Sequence, residues 1–229
     1  MTYSGSMGSY VSARGRSIAI TVLVIVQLAL LGLATIAWAI GAGMVERDSL
    51  GAVAAFGTAG ALNGIDALVF TAATVVFLTW VYRAVANLPA LGSMTCAFTP
   101  GGAVWAFFIP IVNLVWGHQV MATVWRESQP PAVNENGFYL PRKATLVHAW
   151  WTFYLVSIVV SIWLMFSQPS SVSGLSSFAA SEVFLHLVRM TTALLFLIMI
   201  RAAQARQDEM WQDLERRRNV PQPTADALR

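Results

Sequence analysis

FLTWVYRAVANLPALGSMTCAFTPGGAVWAFFIPIVNLVWGHQVMATVWRESQ, residues 77–129, is the stretch on which the reading of this chain turns. Tryptophan, arginine, asparagine, glycine and proline interrupt an otherwise apolar background, and apolar runs of membrane-spanning length lie on both sides. In lipid, a helix broken by proline persists only where protein or water satisfies the freed backbone groups. The stretch is therefore expected to be the specialised part of the molecule, and everything around it reads as ordinary membrane helix.

Composition sets the class. Of 229 residues, 57% are hydrophobic and 11% charged, against roughly 25% charged in soluble domains. Fold class follows: an all-α integral membrane protein. The one cysteine, Cys96, excludes an internal disulfide framework or a Cys-rich metal centre. A net charge of +3, carried by thirteen arginines and Lys143 scattered along the chain, gives no broad basic surface for nucleic acid. G-x-S-x-G, H-E-x-x-H and the P-loop pattern are absent, so an enzyme is the least supported class and no cofactor is expected.

Four spans are expected, at about 17–44, 62–85, 145–166 and 183–200. Arg14 and Arg16 precede the first as a signal peptide's basic region would, with Ala37-Trp38-Ala39 in the place of a cleavage site. Its apolar run nevertheless exceeds the roughly 7–15 residues of a signal core and suffices to cross ~30 Å. The remaining apolar segment, AVWAFFIPIVNLVWG at 103–117, is short and holds Pro110. With four spans, Arg14, Arg16, Arg83, Arg126, Arg142, Lys143, Arg201, Arg206 and Arg216, Arg217 and Arg218 share one side. The opposite loops then hold Arg47 alone at 45–61 and no Lys or Arg at 167–181. The positive-inside rule makes the basic side, and both termini, cytoplasmic. A fifth span would reverse the last basic flank. Residues 101–125 are thus expected to be a Pro-broken re-entrant or interfacial helix, with Gln119, Thr123 and Arg126 on one stripe.

Outside the spans, residues 1–16 read as a disordered cytoplasmic tail rich in Ser and Gly. Residues 127–143 read as a Pro- and Asn-rich connector, 201–218 as a cytoplasmic continuation of the last helix, and 219–229 as a disordered tail.

Trp80-Val-Tyr-Arg83-Ala-Val-Ala-Asn87-Leu, Thr99-Pro100-Gly101, Phe107-Phe108-Ile109-Pro110, Asn113-Leu114 and Gln119-Val-Met121 together resemble the bacterial membrane proteins of the family "domain of unknown function 4328". The resemblance spans the second helix to the fourth. It implies a multi-span membrane protein without an assigned activity and brings no catalytic residues with it. The chain departs from the family pattern at Gly117-His118, where many members carry proline.

Polar residues in apolar surroundings are the candidate functional positions. Asp66 lies in the second span, and Glu182, His186 and Arg189 share a face of the fourth at i, i+4 and i+7. Charges at such depth face the bundle interior and pair, so Arg189 is expected to pair with Asp66 or Glu182. Such a pair reads either as a structural lock or as a proton, ion or small-anion site. Glu182 with His186 has metal-ligand spacing but lacks a third ligand. Arg83 and Asn87 at i, i+4 read as a lipid-phosphate contact or as a snorkelling arginine with a structural neighbour. Pro110 and Asn113 mark the break, the asparagine being suited to backbone groups that the proline frees. His118 and His148 read as hydrogen-bonded boundary residues. Two functions remain open: an interaction or scaffold component whose partners are the lipid bilayer, anionic lipid, another membrane protein or a second copy, and a small transporter or channel component.

Overall fold

The computed structural model describes residues 9–93, 97–130, 134–136, 142–169 and 171–219. Cys96, the distal parts of both expected tails, and residues 131–133 and 137–141 of the connector lie outside the described residues. Every regular element among those described is helical: α1 Arg14–Met44, α2 Ser49–Asn87, α3 Pro100–Trp105, α4 Pro110–Val112, α5 His118–Glu127, α6 Thr145–Phe166 and α7 Val172–Asn219. A 3₁₀ turn at Pro89–Leu91 and a π-helical turn at Asn113–Gly117 complete them.

Four of these helices, α1, α2, α6 and α7, are long and apolar enough to cross a membrane. The chain is an all-α, multi-pass membrane protein. At 1.5 Å per residue, the 22 residues of α6 extend roughly 33 Å, close to the hydrocarbon thickness, whereas the 39 of α2 and 48 of α7 extend roughly 58 and 72 Å.

The helices thus run past the expected spans. The segments read as loops at 45–61 and 167–181 are mostly helix. Asp48 caps α2 by accepting the Gly51 amide on Oδ1 at 3.0 Å, and Ser171 does the same for Gly174 at 3.2 Å ahead of α7. With those caps in place, the alanine-rich stretch behind Asp48 and the serine- and alanine-containing stretch behind Ser171 continue the spans without a break. The 201–218 segment does continue the last span as one helix.

The chain forms two compact units. One comprises residues 16–79 and 145–200; the other comprises 1–15, 80–144 and 201–229. The first is the four-helix unit. In it Gly41 of α1 meets Phe56 of α2 so closely that a β-carbon would overlap the ring, and Trp38 packs on Phe56 and Phe178 with ring centroids 5.2 and 5.8 Å apart. Phe196 of α7 lies between Phe77 and Trp150, at 5.1 and 5.8 Å.

The second unit gathers the segment ahead of α1, the end of α2, α3 to α5 and the continuation of α7. Here the helix break occurs before Pro110 rather than on it. α3 is capped by Thr99, whose Oγ1 accepts the Gly102 amide at 3.1 Å, and it ends at Trp105. The chain then turns, Ile109 becomes extended, and Pro110 opens the next helix at a position whose amide would have no partner in any case. The left-handed Gly92, φ +89°, closes the 3₁₀ turn at the end of α2, a conformation that costs glycine nothing.

Candidate functional site

Within the four-helix unit, all four spans contribute polar side chains to one interior cluster. α1 supplies Gln27 and Thr35, α2 supplies Asp66, α6 supplies Ser161, and α7 supplies Glu182, His186 and Arg189. His186 is fully buried and Asp66 nearly so. Arg189 Nη2 donates to Ser161 Oγ at 3.1 Å, and Ser161 can accept because its own hydrogen goes to the Ser157 carbonyl at 2.6 Å. Thr35 Oγ1 lies 3.3 Å from His186 Nδ1, and Glu182 Oε2 lies 4.0 Å from His186 Nε2.

Arg189 thus takes a hydroxyl as its direct partner. Among the described residues no ion pair joins it to Asp66 or to Glu182, although its field reaches both carboxylates and His186. The expected direct pair is replaced by a looser arrangement in which one cation serves several groups. The physical reason is helix geometry: Ser161 faces Arg189 from α6, and its aligned lone pair supplies a bond without bringing two charges into contact. Among the described residues of this unit, four polar side-chain atoms are buried without a hydrogen-bond partner: Trp38 Nε1, Asn63 Oδ1, Asp66 Oδ1 and His186 Nε2. Native interiors hold few such groups, and each calls for an occupant or a role.

The second unit is built around a different polar network. Trp80 Nε1 donates to Gln204 Oε1 at 3.0 Å, with both side chains buried. Tyr10 OH donates to Asp208 Oδ1 at 2.6 Å, Ser12 Oγ donates to the same oxygen at 2.7 Å, and Tyr10 stacks on Trp211 at 5.3 Å. Gln207, fully buried, donates to the Ala84 carbonyl and to Ser128 Oγ. Arg206 lies 4.1 Å above the Trp125 ring, and Trp125 Nε1 donates to the Lys143 carbonyl at 3.1 Å. Burial and the neighbouring Asp208 carboxylate hold the Tyr10 phenol protonated well above its ordinary value of 10.0.

This network corrects two expectations. Asn87 does not join Arg83 in a lipid-phosphate contact: it is fully buried, accepts the Val11 amide on Oδ1 at 3.2 Å, and donates from Nδ2 to the Val11 carbonyl at 3.0 Å. Arg83, one turn earlier, is only partly exposed. The segment before α1 is correspondingly not a loose tail through residue 16, because Tyr10, Val11 and Ser12 are held in place and α1 begins at Arg14.

Pro110 is the first residue of α4 and Asn113 follows its last, and His118, partly exposed, opens α5. Gln119 and Arg126 are exposed on α5, while Val120, Met121, Val124 and Trp125 are buried. Tyr10, Thr35, Ser161, Gln204, Gln207 and Asp208 escape a reading of the sequence alone. The i, i+3 spacing of Gln204 and Gln207, two uncharged amides among arginines, is the available signal on the last helix.

Four long apolar helices joined to a smaller helical unit define a multi-pass membrane protein with a polar interior. The model of the family described as "Domain of unknown function (DUF4328)" matches residues 47–205, and the chain belongs to that family. Trp80, Asn87 and Gln204 fall inside the matched range, and Tyr10 and Asp208 outside it. No curated protein and no solved structure matches the chain.

Proposed function

We propose that the protein is a non-enzymatic interaction or scaffold component of the cytoplasmic membrane, with both termini cytoplasmic and the smaller unit resting on the inner leaflet. One observation carries the reading: the broken helix exposes large apolar side chains in succession. Trp105 is 66% exposed, Phe108 57%, Ile111 81% and Trp116 51%. Such a run costs free energy in water and gains it in acyl chains, at roughly 25 cal/mol per Å² transferred. The charge distribution agrees. Eleven of the fourteen basic residues and seven of the eleven acidic ones belong to this unit, which suits an anionic leaflet and the positive-inside rule. In this reading 101–125 enters the leaflet without crossing it, and the exposed Gln119, Arg126 and the end of α7 meet the partner, whether anionic lipid, another membrane protein or a second copy.

The cluster around Arg189 supports a second reading, a small transporter or channel component, because ionisable groups inside a span commonly mark a path. Full-length protein reconstituted in vesicles separates the two. Depth-dependent quenching of labels at Ile111 and Gln119 is expected to place the first in acyl chains and the second at the headgroups of the same leaflet, with no ion flux above that of empty vesicles. Labels on opposite leaflets would refute the seating. A flux abolished by Arg189→Gln would replace the scaffold reading with the transporter one.

A further inference from the structure

His186 sits in the four-helix unit with no exposed surface, and its two ring nitrogens have different surroundings. Nδ1 faces Thr35 Oγ1 at 3.3 Å. The threonine hydroxyl has one hydrogen, and that hydrogen is directed to the Leu31 carbonyl of its own helix at 2.7 Å. What Thr35 presents to the ring is therefore a lone pair. Two lone pairs would repel, so Nδ1 carries the hydrogen and donates it.

In the neutral ring this fixes Nε2 as a bare acceptor. Nε2 is buried, has no hydrogen-bond partner, and faces Glu182 Oε2 at 4.0 Å, one turn earlier on the same helix. An imidazole lone pair and a carboxyl group thus confront each other in a site from which water is largely removed, with no donor between them. What the pair lacks is a proton. A metal ion is a poorer occupant, since no group of three or more His, Cys, Asp or Glu side chains able to hold one occurs among the described residues.

We propose that Glu182 and His186 form a single proton-binding site within the four-helix unit, with Thr35 as the positioning residue that keeps Nε2 as the receiving atom. One proton passes from water to Nε2, and no other bond is made or broken. Proton binding converts a carboxylate beside a neutral ring into a carboxylate beside an imidazolium. The surroundings bear on that change from every helix. Of the charged groups nearby, Arg189 on α7 opposes the added charge, and Asp66 on α2 lies within the field of the same arginine. Gln27 on α1 and Ser161 on α6 are uncharged, and neither α6 nor residues 17–44 of α1 contain Asp, Glu, Lys or Arg. The site depends neither on the scaffold reading nor on the transporter one, because it requires only that the proton bind, not that it move across.

The chain has three histidines, so His118→Gln with His148→Gln leaves His186 as the sole imidazole. Full-length protein of this background, ¹⁵N-labelled at histidine and placed in lipid nanodiscs, is titrated by solid-state nuclear magnetic resonance. The expected neutral form is the Nδ1–H tautomer, gaining its second proton at Nε2 as pH falls. Glu182→Gln, which keeps the side-chain shape, is expected to weaken that proton binding about tenfold or more, the scale of a removed neighbouring charge. Thr35→Val is expected to release the tautomer to a mixture. A neutral Nε2–H ring in the parent, or a titration unchanged by Glu182→Gln, overturns the proposal. Should Glu182→Gln fail to fold, the parent tautomer and its response to Thr35→Val decide the matter, and a Thr35→Val ring that keeps Nδ1–H overturns it. The titration is read without any flux, so its outcome is separate from that of the vesicle experiment.

Discussion

Asn87→Ala tests whether the segment ahead of α1 is held by the end of α2. The wild-type side chain makes two hydrogen bonds to one residue, accepting the Val11 amide at 3.2 Å and donating to the Val11 carbonyl at 3.0 Å. Each neutral hydrogen bond contributes about 1 kcal/mol net, so the two together hold the segment by about 2 kcal/mol. No further penalty for stranded backbone groups is added. Val11 is 44% exposed where it sits, and water can reach its amide and carbonyl once the asparagine is gone. At 1.4 kcal/mol per tenfold, the opening equilibrium of residues 9–13 should shift roughly thirtyfold. Amide hydrogen exchange reads such local opening directly. The informative amide is that of Arg14, which donates to Ser12 Oγ at 3.2 Å and has no contact with Asn87 of its own. Its exchange should accelerate about thirtyfold. The Val11 amide will accelerate whether or not the segment moves, since the mutation removes its acceptor. If Val11 exchanges faster while Arg14 does not, the asparagine is a local ornament, and Tyr10 and Ser12 on Asp208 hold the segment without it.

Trp80→Phe keeps an aromatic ring but deletes the donor to Gln204, stranding a buried carbonyl oxygen. It should cost about 1–3 kcal/mol in detergent unfolding, and Gln204→Leu added to it should recover part of the loss, whereas strict additivity of the two changes would deny the bond. Tyr10 supplies the pH dependence. Its phenol is held protonated above its ordinary value of 10.0 by burial and by Asp208, so its contribution to docking is complete below that pH and is lost as pH rises beyond it. Tyrosinate absorbance of wild type minus Tyr10→Phe should accordingly show no ionisation near the ordinary value. A difference spectrum that titrates there would mean the phenol is not in the Asp208 site.

The spans were legible because a bilayer imposes a length on apolar sequence, and runs such as 18–40 and 145–166 meet it with nothing else to explain them. The helix extensions were not, because residues 49–61 and 172–182 carry Gly, Ser and Ala. Hydropathy discounts these residues, and their helicity depends on caps at Asp48 and Ser171 that become visible only with the backbone in place. The proline break was legible in position but not in form: Pro110 restarts a helix instead of bending one, and the π-helical turn behind it has no sequence signature.

The candidate site divides along the same line. Its charged members could be read from the sequence, since Asp66, Glu182, His186 and Arg189 are conspicuous against an apolar background. Their partners could not, because Thr35 and Ser161 are unremarkable in a membrane helix, where each satisfies itself by donating to a carbonyl four residues back. That self-satisfaction leaves each hydroxyl a lone pair to present to a neighbour. Thr35 presents its lone pair to His186 and Ser161 presents its own to Arg189. The two residues least informative in sequence thereby set the tautomer of the imidazole and the bonding of the guanidinium. A charge pattern read along one helix could announce a polar interior, but the direction of each hydrogen in it depends on hydroxyls contributed by the two helices that carry no charge in their spans.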